Sequence, residues 1–266
     1  WQHLRMALPC SLNLSLSGIA FNGPDVGGFM DDTTGELLVR WHQACCLFPW
    51  FRNHSVRYSR RQEPWQFGPE PLRAIRGAIR TRYRLLPYLY QCFCNHWRHG
   101  DPIIRPLLYH YPEPEYADLD DQYLLGDAVL VAPILQGDGQ GPEIFRNGVK
   151  MQQRAVVLPP GGWFDLNSGA WLEGGQTVNY AAALDELPLF VRDGAVIPYY
   201  AGPLQNSRMA LSAVELHFFC HRQPAQFAYF VDDQESLCYQ SGDYGITHIA
   251  AIIDNEKLRV TTAESG

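Results

Sequence analysis

Hydrophobic periodicity changes once along this chain, near Asp101, and that change limits the fold more than any other feature of the sequence. Before it, apolar residues return every three or four positions. After it, apolar runs are short and are cut by Gly, Pro and Asp, with turns about 8–12 residues apart. The first pattern places apolar side chains on one face of a helix, and the second suits strands packed face to face. Helix-rich text therefore precedes β text within 266 residues, a length that allows one large domain or two or three smaller ones.

The helical half resolves into three predicted helices. Residues 1–17 form the first, closed by Gly18. Residues 33–48 form the second, with Thr33 or Thr34 as cap and Glu36 in the first turn. The third runs over about 70–99, with Leu72, Ile75, Ile79, Tyr83, Leu86, Tyr90, Phe93 and Trp97 stepping by threes and fours. Pro87 should kink or divide it, and Gly100 should stop it. Between the helices lie "IAFNGPDVGGF" and "PWFRNHS", each a strand-like piece leading into a helical run. A strand–loop–helix unit used about twice fits an α/β barrel or a doubly wound sheet. The β half reads as two sets. "PIIRPLLYHYP", "AVLVAPIL", "RAVVLPP", "WFDL", "QTVNYA" and "LPLFVRDGAVIPYY" form one, and "SAVELHFFC", "AQFAYFVDD", "GITHIAAIIDN" and "KLRVTTA" form the other, divided at Gly202–Pro203. The spacing of the first set suggests a β-sandwich. The last strands reach Gly266 with no closing element in view.

A net charge of -7 argues against a general nucleic-acid binder. No run approaches the ~20 apolar residues that span a bilayer, so no membrane contact is expected. No signal peptide is visible, although a chain that starts at Trp1 says little on that point. Cys45–Cys46 and Cys92/Cys94 lack zinc spacing and read as buried free thiols, which slightly favours the cytoplasm. Nine arginines between residues 52 and 84 make a phosphate patch conceivable, but a solvated or ion-paired face suits them better. The acidic stretch with Glu113, Glu115, Asp118, Asp120, Asp121, Asp127 and Asp138 lacks the ligand spacing of a calcium loop.

Two stretches carry candidate site residues. In "FNGPDVGGF", Asp25 stands behind Gly23–Pro24 and ahead of Gly27–Gly28, with Phe29 close by. Asp25 can be an Asx-turn residue, or a carboxylate at the C-terminal end of a barrel strand, where glycines let a ligand reach the backbone and Phe29 offers a face to a sugar ring. In "FRNHS", Arg52 and His54 would share a strand face. Arg pairs with carboxylates and His hydrogen-bonds hydroxyls near neutral pH, but for residues taken alone a surface ion pair and a strand-end His explain both more simply. No G-x-S-x-G supports a serine triad. "GDGQG" at 137–141 reads as a turn rather than a phosphate loop, and Asp232–Asp233 as a turn rather than a carboxylate pair.

"LSGIAFNGPDVGGF", "ELLVRWHQACCLFPWFRNHS", "QEPWQF", "RYRLLPYLY", "IIRPL", "DDQYLLGDAVLVAPIL", "LPPGGWFDL" and "LPLFVRDGAVIP" occur in one order. That series resembles glycoside hydrolase family 31, the α-glucosidase family, closely over residues 1–200 and more weakly around "YFVDDQES". The resemblance implies an α/β plus all-β fold: the last βα units of a (β/α)8 barrel (1–101), a proximal β-sandwich domain (102–201) and a truncated distal β-sandwich domain (202–266). It implies retaining hydrolysis of terminal α-glucosidic bonds on an α-glucoside or oligosaccharide, with no metal or organic cofactor. It places His54 on sugar hydroxyls, Phe29 on the sugar subsite wall, and Asp25 and Arg52 among the pocket's polar groups. The "FRNH" form resembles the α-glucosidase branch.

The family's W-x-D-M-N-E-like nucleophile motif and its G-D-N acid/base motif do not occur in the chain. "MDD" at 30–32 and "VDD" at 231–233 do not replace them. A whole barrel takes about 250 residues, against roughly 100 of barrel character here. The chain therefore reads as a C-terminal portion, inactive alone, whose apolar faces at 19–29 and 47–51 would meet the rest of the barrel or a second chain. The other reading is a non-catalytic β-rich module that binds carbohydrate or protein.

Overall fold

The computed structural model describes residues 1–137, 139–203, 213–254 and 257–265. Its first part holds α1 (Gln2–Leu16), β1 (Asp25–Val26), α2 (Gly35–Cys45), β2 (Arg52–Asn53), α3 (Pro69–Arg84) and α4 (Leu86–His99). β1 and β2 pair in parallel, Asp25 opposite Arg52 and Val26 opposite Asn53. α2 is the crossover between them, so the unit is βαβ, as in a barrel wall. Thr34 caps α2, its Oγ1 accepting the Leu37 N–H at 3.2 Å. The expected long third helix is two helices. It breaks at Leu85 (φ -91°, ψ 4°), and Pro87 falls in the first turn of α4, where its missing N–H costs nothing. Gly100 closes α4 at φ 77° in the left-handed region. α2 ends at Cys45, short of the expected 48, because the next carbonyls turn away to the Arg82 guanidinium.

The β part follows as β3 (Ile104–Arg105), β4 (Tyr123–Leu125), β5 (Val129–Val131), β6 (Glu143–Arg146), β7 (Val149–Leu158), β8 (Gly162–Asp165), β9 (Trp171–Glu173), β10 (Gln176–Ala182), β11 (Leu189–Arg192), β12 (Ala195–Tyr200), β13 (Val214–Phe219), β14 (Ala225–Val231), β15 (Gly245–Asp254) and β16 (Lys257–Ser265). One sheet runs β3-β4-β5-β11-β8-β9 and faces another, β10-β7-β6. Strand alternation explains how the larger sheet is used. Leu124, Leu130, Trp163 and Phe190 point into the sandwich against Val156 and Leu158 of β7. Their neighbours Tyr123, Leu125, Val129, Val131 and Val191 point the other way, into a core with Leu4, Leu8, Trp41, Phe48 and Tyr88 of the helical part. A sheet buried on both faces needs continuous apolar runs, which is why "AVLVAPIL" does not alternate.

Polar ties reinforce that junction. Tyr123 Oη donates to the Ala44 carbonyl at 3.0 Å and its ring meets Phe48 edge-on. Arg40, 2 % exposed, donates at 2.9 Å to Gln43 Oε1 and Gln152 Oε1, and at 3.3 Å to the Ala183 carbonyl. β14-β15-β16 form a further sheet, and β12 pairs with β13. The expected boundary at 201/202 thus falls between two paired strands. α4 holds the last sheet: Gln91 bonds both the N–H and the carbonyl of Phe230, and Tyr90 Oη donates to Asp232.

Some expectations need correction. "PIIRPLLYHYP" is strand only at Ile104–Arg105 and continues as a 3-10 turn at Leu107–Tyr109, since its prolines interrupt any ladder. β6 and β9 are short, half-exposed edge strands without an apolar run, and the sequence reading did not include them. The turn expected at Asp232–Asp233 is present, with Asp233 accepting from the Glu235 and Ser236 N–H groups. Asp138, Ser212 and Asn255, which entered the sequence expectations, lie outside the described residues.

Candidate functional site

The parallel pair β1–β2 sets the site. Register alone puts Asp25 beside Arg52, whose Nε and Nη2 donate to Asp25 Oδ1 at 3.1 and 2.8 Å. The pair is partly open to solvent, with side chains 48 % and 27 % exposed. The turn expected at Asp25 exists, but the backbone makes it: the Gly28 N–H donates to the Asp25 carbonyl at 3.2 Å. Gly27 and Gly28 take φ 97° and 91°, which a side chain would strain. The carboxylate is left to engage Arg52.

His54 lies one residue past β2 rather than on it, so its kinship with Arg52 is one of position and not of a shared strand face. Its N–H donates to the Val26 carbonyl at 3.4 Å, and the Val56 N–H reaches the Phe29 carbonyl at 2.8 Å. The two loops thereby continue side by side beyond the strands. This brings the His54 ring to 5.5 Å from the Phe29 ring, tilted by 30°. The four sequence candidates form two pairs: Asp25 with Arg52 on the first residues of β1 and β2, and Phe29 with His54 in the loops just past those strands. Phe29 and His54 are both exposed.

Three supports were not foreseen. Gly23 packs against the Trp50 backbone, where any Cβ would collide with the Trp50 carbonyl. Trp50 in turn lies beneath Arg52, the guanidinium 5.7 Å from its ring. Gln62, buried at 6 % exposure, offers its Nε2 to the Val26 and Gly28 carbonyls while its main-chain carbonyl accepts from Asn53 Nδ2. Gln62 was hidden because a lone amide inside an arginine-rich stretch has no sequence signature of burial. Those arginines do not gather into a phosphate patch. Arg73 pairs with Asp185, Arg84 donates to the Tyr200 carbonyl, and Arg60 lies over the Phe67 ring.

Beneath the site lies His42, 2 % exposed, with Nδ1 at 2.8 Å from the Leu38 carbonyl and its ring edge-on to Phe51. Burial pushes its imidazole down to about 4, so it is neutral near pH 7 and serves packing. Burial raises the Cys45 and Cys46 thiols, the latter to about 12, so they are poor nucleophiles. Among the described residues no cluster of His, Cys, Asp or Glu could hold a metal ion. None of their helices is long and apolar enough to cross a membrane. Beside the site, Ala7, Leu14, Phe21, Pro24 and Trp50 line an open apolar hollow of about 500 Å³.

Comparison with known proteins gives a consistent picture. Residues 1–92 match the glycosyl hydrolases family 31 TIM-barrel domain, and residues 100–197 match the glycosyl hydrolase family 31 C-terminal domain. "Alpha-glucosidase 2" of Bacillus thermoamyloliquefaciens is 38% identical over 269 residues, covering 100% of this chain and 32% of that protein. "Neutral alpha-glucosidase C" of Homo sapiens is 41% identical over 199 residues, 74% of this chain and 21% of that protein. A GH31 dextranase of Flavobacterium johnsoniae, solved in complex with glucose, superposes at a TM-score of 0.87 with 29% identity, over 98% of this chain and 32% of the dextranase. The catalytic subunit in an ER glucosidase II heterodimeric complex gives 0.84 with 27% identity, over 99% and 28%. The chain thus spans about a third or less of the proteins it resembles.

Proposed function

Because this chain belongs to glycoside hydrolase family 31, we propose that it is the C-terminal portion of a retaining α-glucosidase and supplies one wall of the sugar pocket. The observation that carries this reading is the pairing of Asp25 with Arg52 on two parallel strands and of Phe29 with His54 just past the C-terminal ends of those strands. Barrel enzymes keep their sites at the C-terminal ends of their strands. There, His54 hydrogen-bonds a sugar hydroxyl and Phe29 lies against the apolar face of the ring. Arg52 holds Asp25 in place, and the second carboxylate oxygen is left to accept from another hydroxyl.

Retaining hydrolysis needs two carboxylates about 5 Å apart, one to attack the anomeric carbon and one to protonate the leaving oxygen. Asp25 spends one oxygen on two Arg52 N–H groups, which suits support rather than attack. Asp32, in "MDD", accepts from the Arg60 N–H at 2.6 Å. We therefore assign nucleophile and acid/base to a part of the enzyme other than these residues, and we expect this chain alone to bind sugar without cleaving it. We assign 1–101 to the barrel, 102–201 to the proximal and 202–266 to the distal β-domain, with β12 bridging the last two. Exposed Ile19, Phe21, Met30 and Trp50 form the face on which the remaining barrel, or a second copy of this chain, would close.

The test is a titration of the chain with methyl α-D-glucoside. The proposal predicts saturable binding on the order of millimolar, weak because one wall contributes. Binding should be lost in His54→Ala and Asp25→Ala, while a β-face substitution such as Thr261→Ala leaves it intact. Binding that survives both site substitutions would remove the site assignment.

A further inference from the structure

We propose that Arg82 is a positioning residue for the sugar pocket: from outside the site it fixes the path of the chain that delivers Arg52 and His54. The inference rests on the site proposed above, but it is carried by separate geometry. Arg82 lies on α3, and its guanidinium reaches into the bend between α2 and β2. Nη1 donates to the carbonyls of Cys46 at 2.8 Å and Phe48 at 2.5 Å, and Nη2 to that of Pro49 at 3.1 Å. The same cation lies 5.4 Å from the Phe51 ring. One side chain thus engages four of the six residues immediately before Arg52.

Those six residues are packed and bonded at several points, including the Phe48 N–H to the Cys45 carbonyl and the Trp50 N–H to the Asn22 carbonyl, but among the described residues the Arg82 guanidinium is the one side chain that bonds three of their carbonyls at once. α2 has ended, and its last carbonyls have no partner within the helix. β2 has only two residues to pair with β1, too few to define a register without help. Leu47 and Phe48 are buried, so their backbone polar groups need internal partners. A guanidinium suits this task because its planar fork serves several oxygens at once, and a positive charge also suits the C-terminal end of α2. A lysine would keep the charge but lack the fork. Arg82 touches none of Asp25, Phe29 or His54, so its effect on sugar must pass through the backbone of 46–51.

The experiment compares Arg82→Lys and Arg82→Gln with a control, Arg84→Lys. Arg84 lies on the same helix turn and also donates to a carbonyl, that of Tyr200, away from the site. Two quantities are read: affinity for methyl α-D-glucoside, and hydrogen exchange at the Arg52, Asn53 and His54 amides. Arg82→Lys is expected to weaken binding about tenfold, roughly the worth of one charge-assisted hydrogen bond. Exchange at those amides should accelerate by a similar factor, with the effect larger in Arg82→Gln and absent in Arg84→Lys. Should the Gln variant fail to fold, the Lys variant carries the comparison. Unchanged affinity and exchange in Arg82→Lys, or equal changes in Arg84→Lys, overturn the inference. If the unmodified chain binds no sugar, the functional proposal fails, and the exchange comparison alone decides for or against Arg82.

Discussion

Any side chain at Gly23 would collide with the Trp50 carbonyl, and the strand segments carrying both halves of the site meet at that point. Gly23→Ala should therefore destabilise the fold by more than about 2 kcal/mol, seen as a lowered urea midpoint. Asp25 is the opposite case. Its ion pair with Arg52 is partly exposed, so Asp25→Ala should change stability by less than about 1 kcal/mol while removing sugar binding. His42 makes stability depend on pH. Its folded value near 4 lies below the unfolded value near 6.5, so the unfolded chain takes the proton first as pH falls. The contribution of neutral His42 is complete above about pH 6.5 and is lost towards pH 4, up to roughly 3 kcal/mol. Urea midpoints of His42→Gln against the unmodified chain should converge across that window as pH falls. A difference that stays constant would contradict a buried neutral imidazole. The four candidate residues of the proposed site were legible as motif members. Their partners were not, because Asp25 finds Arg52 through the register of strands far apart in sequence.

At the scale of elements, amphipathic spacing revealed the helices, Thr34 and Gly100 their ends, and Pro87 the break between α3 and α4. Edge strands β6 and β9 escaped because half-exposed strands lack an apolar run. β12 was legible as a strand but not its partner: "LPLFVRDGAVIPYY" reads as one unit, yet Gly194 at φ 88° turns β12 away to pair with β13. The contact between α4 and β14 was equally invisible, since Gln91 reads as an ordinary helix residue. Gln91→Leu removes two hydrogen bonds to the Phe230 backbone and leaves both groups buried. It should cost about 2–4 kcal/mol. Exchange should rise first at amides of β14 and β15, with α1 and α2 unaffected.

For the molecule as a whole, the sheet β3-β4-β5-β11-β8-β9 is the common floor of a sandwich and a partial barrel. Its two apolar faces join them in one body. Ile19, Phe21, Met30 and Trp50 stay exposed, and Phe21 and Trp50 line an apolar hollow with Ala7 and Leu14 of α1. The chain should therefore self-associate at micromolar concentration in sedimentation, and Phe21→Ser should shift it towards monomer. A clean monomer before substitution would argue against that face as a contact surface. The central claim is that this chain holds sugar-positioning groups without the reacting carboxylates. One NMR titration of the purified chain with p-nitrophenyl α-glucoside tests it, since ligand signals report binding and free p-nitrophenol reports cleavage. The account predicts saturable line broadening, lost in His54→Ala, with no p-nitrophenol released. Sustained release by the purified chain, abolished by substituting one of its own carboxylates, would contradict it.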